Sequence, residues 1–65
     1  MTFAENVAAA RAASGLSQSQ VSRRSGIHVT EVSRIERGLR DPRLSTVVRL
    51  ARALGVKPTR LVDGL

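Results

Sequence analysis

Apolar residues recur along this chain at helical spacing. Phe3, Val7 and Ala10 stand at i, i+4 and i+7, and Val47, Leu50, Ala51 and Leu54 at i, i+3, i+4 and i+7. Val21, Ile27, Val32 and Ile35 carry the buried set through the middle of the chain. Alternating apolar–polar runs are not sustained, so strands are not predicted. Gly15, Gly26, Gly38 and Gly55 punctuate the periodic stretches, as expected of the residue just past a helix end. The pattern predicts an all-α chain of five short helices.

Local signals bound each helix. The first runs from about Thr2 to Ala13, with Thr2 as cap and Glu5 three residues on, the spacing of a capping box. Its alanines favour helix and close packing but leave a thin core there. The second spans about Gln18 to Arg24; Ser17 caps it, Gln20 completes a box, and Leu16 with Val21 forms a hydrophobic staple. Ser22 is small enough for a close helix crossing. The third runs from about Val29 to Arg37, with His28 at the cap and Glu31 in the first turn. Leu39 to Leu44, LRDPRL, is a loop in which Pro42 holds Asp41 out of helical geometry. The fourth runs from about Thr46 to Leu54 with Ser45 as cap, and Arg49 and Arg52 lie opposite its apolar face. The fifth begins at Pro58 and offers Leu61 and Val62 as apolar residues.

Size and charge narrow the function. Residues 1–65 form one small domain. Such a chain buries only about 60% of its unfolded surface, so tight helix packing or a partner subunit must add stability. There is no cysteine and one histidine, which leaves no disulfide, no metal site and no evident cofactor. The net charge is +6, and ten of the eleven basic residues are arginine. Guanidinium binds phosphate bidentately and also reads guanine edges, so a polyanionic partner is expected. Phe3 is the only aromatic residue, which disfavours recognition by stacking bases on rings. The longest wholly apolar run, Val7 to Ala10, is far too short for a bilayer, and no signal peptide is visible, so a cytoplasmic protein without membrane contact is expected. The five acids do not assemble a catalytic pair and the histidine has no nucleophile beside it, so no enzyme is predicted. No small-molecule ligand is evident.

Within this frame, Gln18 to Arg37 reads as two helices joined by a tight turn at Ser25-Gly26, the shape of a helix-turn-helix whose second helix enters the DNA major groove. Val32 and Ile35 of that helix face inward; Thr30, Ser33, Arg34 and Arg37 face outward. Val29 and Thr30 offer methyl groups to thymine, Thr30 and Ser33 offer hydroxyls, and Arg34 suits a guanine. The same residues also suit a solvated helix face, and Arg34 also suits an intrahelical pair with Glu31. Arg37, Arg40 and Arg43 suit backbone positioning; Arg23 and Arg24 are expected on the solvent-exposed surface, with Arg24 as a further candidate phosphate contact.

The run LSQSQVSRRSGIHVTEVSRIERGLRDPRLSTVVRLARALGV resembles the Cro/repressor-type (XRE) helix-turn-helix family. The resemblance covers about residues 3 to 63 and rests on Leu16-Ser17-Gln18, on SRIERG from Ser33 to Gly38, on the Pro42 loop, and on LARALGV from Leu50 to Val56. It implies a compact five-helix repressor-like bundle, often bound to DNA as a two-fold dimer. By motif, His28, Val29, Thr30, Ser33 and Arg34 match the base-reading face, with His28 also suited to capping the helix or meeting a phosphate. Gln18 and Arg37 match phosphate contacts, and the loop bearing Arg40 and Arg43 lies along the backbone. The resemblance also implies an ion pair between Arg11 and Glu36 that holds the third helix to the first. Ser22 stands where the family usually has alanine, and Val29 where a polar base-reading residue is common.

The function expected is that of a sequence-specific double-stranded DNA-binding transcriptional regulator, repressing by occlusion as a homodimer on a palindromic operator. Leu61, Val62 and Leu65 are the candidate dimer contacts; packing of Leu61 and Val62 onto the fourth helix is the alternative. An antitoxin-type or other protein-interaction module is the competing use of the same fold.

Overall fold

A computed structural model describes residues 1–64, in which five helices and no strand occur. They are α1 (Phe3–Ala13), α2 (Gln18–Ser25), α3 (Val29–Glu36), α4 (Leu44–Leu54) and α5 (Pro58–Leu61). Helices α1 and α2 both close their N-termini with a capping box. The Thr2 hydroxyl accepts the Glu5 amide at 3.1 Å while the Thr2 amide donates to the Glu5 carboxylate at 2.9 Å. Ser17 and Gln20 exchange the same two bonds at 3.1 and 2.8 Å. The bonds to Thr2 hold the Glu5 carboxyl below its usual range.

Helix α4 begins at Leu44, two residues before the expected start, and Arg43 rather than Ser45 stands at the cap. Pro42 restricts only the residue before it. Arg43 is therefore free to adopt its extended cap conformation, and its carbonyl accepts the amides of Thr46 and Val47. Leu44 and Ser45 are exposed, Leu44 at 76%, so the helix starts without a side-chain cap where water can meet its first amides.

The five helices enclose one core: Val7 and Ala10 from α1, Val21 from α2, Ile27 from the turn, Val32 and Ile35 from α3, Val47, Leu50, Ala51, Ala53 and Leu54 from α4, and Leu61 from α5. Phe3, Leu16 and Val56 pack against its rim. Helix α2 meets both α3 and α4, α1 meets α3 and α5, and α4 meets α5. Helix α3 therefore rests chiefly on α1 and α2. The short α5 is tied back by Asn6, a buried amide whose Nδ2 donates to the carbonyls of Leu61 at 2.9 Å and Asp63 at 2.8 Å.

The turn between α2 and α3 is held by polar side chains. The Ser22 hydroxyl donates to the Ile27 carbonyl across the turn. The buried Ser25 hydroxyl accepts the Ile27 amide at 3.1 Å. Gly26 takes a left-handed conformation, φ +73°, and a Cβ there would come within 2.9 Å of the Arg49 guanidinium. Arg49 itself donates from Nε to the Ser25 carbonyl at 3.1 Å, which fastens the end of α2 to α4.

Candidate nucleic-acid interface

Helix α3 is amphipathic over its eight residues. Val32 and Ile35 are fully buried, whereas Val29 and Thr30 are exposed and Ser33 and Arg34 are partly so. His28 closes the amino terminus: its Nδ1 accepts the Thr30 amide at 3.2 Å. A ring that caps through Nδ1 keeps Nε2 as its other polar atom. The five residues expected to read bases thus lie on the first turn and outward face of one helix, the part of a major-groove helix that meets base edges.

At its far end α3 is anchored to α1. Arg11 donates to Glu36 through two parallel bonds, Nε to Oε2 at 2.6 Å and NH2 to Oε1 at 2.9 Å. Its third nitrogen, NH1, donates to the Leu16 carbonyl at 3.0 Å. Gln18 adds an amide bond to Glu36 Oε1 at 3.3 Å, so one carboxylate joins α1, α2 and α3. The Glu36 side chain is only 7% exposed and that of Arg11 23%. Its bonds to Glu36 hold the Arg11 guanidinium above its ordinary range, against the opposing effect of burial. Gln18, expected at a phosphate, thus has its amide turned onto Glu36 and is half-buried.

Of the cations expected to grip the backbone, Arg40 and Arg43 border the start of α3, Arg37 follows its last residue, and Arg24 lies in the last turn of α2. Arg24, Arg37, Arg40 and Arg43 are all exposed. An open groove between the start of α3 and the start of α4 is lined by His28, Glu31, Arg40, Arg43, Ser45 and Arg49 among others. Arg40 lies over α3, its Nε 3.3 Å from the Glu31 carboxylate, which also stands 3.9 Å from Arg34. The expected pairing of Arg34 with Glu31 is therefore present only as a long contact on the exposed surface, and Glu31 is nearer to Arg40.

The three candidate dimer residues separate. Leu61 is fully buried in the chain's own core, so it is no surface contact. Val62 is 43% exposed and lines a small hollow with Phe3, Asp41, Pro42 and Val47. Leu65 lies outside the described residues. Reasoning from sequence missed Asn6, Ser25 and Arg49. Asn6 was signalled only as a polar residue beside the apolar stripe of α1, and the partners of all three are backbone carbonyls or amides, which no side-chain pattern reveals. No helix of the described residues is long and apolar enough to cross a membrane, and no cluster of metal-ligating side chains occurs among them.

Comparison with known proteins gives a consistent family. The helix-turn-helix family model matches residues 7–61. An uncharacterized HTH-type transcriptional regulator, y4dJ of Sinorhizobium fredii (strain NBRC 101917 / NGR234), is 44% identical over 57 residues, covering 88% of this chain and 74% of that protein. The control protein C.SmaI of Serratia marcescens is 41% identical over 60 residues, 92% of this chain and 71% of its own. Among solved structures, the restriction-modification controller protein C.AhdI from Aeromonas hydrophila superposes with a TM-score of 0.88 at 36% identity, over 91% of this chain and 89% of that one.

Proposed function

The chain belongs to the helix-turn-helix family, and from that membership we propose that it is a sequence-specific regulator of transcription that places α3 in the major groove of double-stranded DNA. The observation that carries this is the division of α3: one face locked into the core through Val32, Ile35 and Glu36, the other presenting Val29, Thr30, Ser33 and Arg34, with the exposed Arg40 and Arg43 bordering its start and Arg37 following its end. His28 and the outward residues read base edges. Arg24, Arg37, Arg40 and Arg43 bind phosphates, joined by Gln18 when its amide leaves Glu36. The protein acts without catalysis, as a homodimer on a palindromic operator in the cytoplasm, and represses by occupying the site. Val62 and the hollow beside it supply the contact between copies.

The named roles of its relatives favour a controller of restriction-modification genes over an antitoxin. Selection of bound sequences from random duplexes, followed by affinity against salt concentration, tests the proposal. A palindromic site with half-sites about one helical turn apart is the expected result. Absence of duplex binding even at low salt would transfer the fold to a protein-interaction role.

A further inference from the structure

Glu31 occupies the third position of α3, the place held by Glu5 in α1 and Gln20 in α2. In those two helices the side chain turns back to accept the amide of the cap residue. In α3 it does not. The Glu31 carboxylate instead reaches across to Arg40, nine residues away in the loop before α4, and towards Arg34 on the outward face. A local cap interaction has been given up for a contact with two cations of the proposed DNA-binding face. Both partners are solvent-accessible, with side chains 49% and 43% exposed, and the contact to Arg40 is a single bond at 3.3 Å. Such a pair adds little to folding and exchanges readily. It also sits where a phosphate would approach, since the carboxylate and Arg40 line the same groove with Arg43 and Arg49.

We propose that Glu31 is an internal competitor for DNA phosphate: its carboxylate engages Arg40 in the free protein, and binding a phosphate there requires the exchange of one anion for the other. Glu31 thereby sets how tightly the chain holds any duplex, as a brake acting through Arg40 and not through bulk charge. The proposal rests on the DNA-binding role of this face, yet its central exchange is a property of the protein and of polyanions in general.

The test is a double-mutant cycle read on two probes, a random-sequence duplex and a base-free sulfated polysaccharide such as a heparin fragment. Glu31→Gln is expected to tighten binding to both roughly two- to fivefold, the range of an exposed ion pair released from competition. The slope of log affinity against log salt should steepen by about one. Asp63→Asn makes the same change in net charge at an exposed residue that does not line this groove, and it should have a clearly smaller effect. In an Arg40→Ala background, the gain from Glu31→Gln should shrink to that of Asp63→Asn. An undiminished gain without Arg40, or no gain with it, overturns the proposal. If the wild-type chain bound no duplex at all, the DNA-binding function would fall, while the Arg40-dependence measured on the polysaccharide would still decide the role of Glu31.

Discussion

The two glutamates of α3 stand five residues apart and meet different arginines. Glu36 is almost fully buried, takes two parallel bonds from Arg11 and a third from Gln18, and joins three helices. Glu31 is 35% exposed and meets Arg40 through one long bond and Arg34 at 3.9 Å. The same two chemical groups thus form a fixed joint at one end of the helix and an exchangeable contact at the other. Burial and bidentate geometry make the difference: a desolvated carboxylate left without its partner is costly, whereas an exposed one is simply hydrated. For a helix that must be rigidly mounted yet meet a polyanion, the locked pair belongs on the core side and the loose one on the groove side.

The comparison breaks first at Glu36. Glu36→Gln should lower unfolding free energy by about 2–4 kcal/mol in a denaturant titration, because Arg11 is left charged and partly desolvated. Replacing both partners, Arg11→Met with Glu36→Met, should cost less than that single change, since no orphaned charge remains. Near-wild-type stability of Glu36→Gln would remove the locked joint from this account. On the groove side, Arg34→Ala should leave the fold intact and relax preference at one base position by about 1–3 kcal/mol, seen as a change in one column of the selected sequences. Arg43→Ala should weaken all duplexes alike and flatten the salt slope by about one unit.

Stability of Glu31→Gln should stay within about 0.5 kcal/mol of wild type, in contrast with Glu36→Gln. The smallest effect concerns pH. The folded-state pKa of Glu5 is lowered by its bonds to Thr2, so the box is intact above the ordinary carboxylate value and weakens as pH falls through the lowered one. Acid titration of α1 helicity should show a slight loss there, absent in Glu5→Gln.

Much of this was legible in the sequence, for identifiable reasons. The stripe of Val47, Leu50, Ala51 and Leu54 and the glycines past the helix ends are local signals, and the helices follow them. The start of α4 was not, because Ser45 resembles a cap while the loop's geometry lets Arg43 serve with no side-chain bond. Leu61 and Val62 could not be told apart, since a helix of four residues is too short for periodicity to fix its buried face. The direction of Glu31 was hidden too. Sequence offers Arg34 at helical spacing, but Arg40 becomes the nearer partner only once the loop folds back over α3.

The most direct test follows the arginine Nε–H signals of Arg11, Arg34 and Arg40 by NMR while an operator duplex is added. The expected exchange shifts Arg34 and Arg40 as they leave Glu31 for base and phosphate, while Arg11 stays fixed on Glu36. Movement of Arg11 with Arg34 and Arg40 unchanged would contradict it.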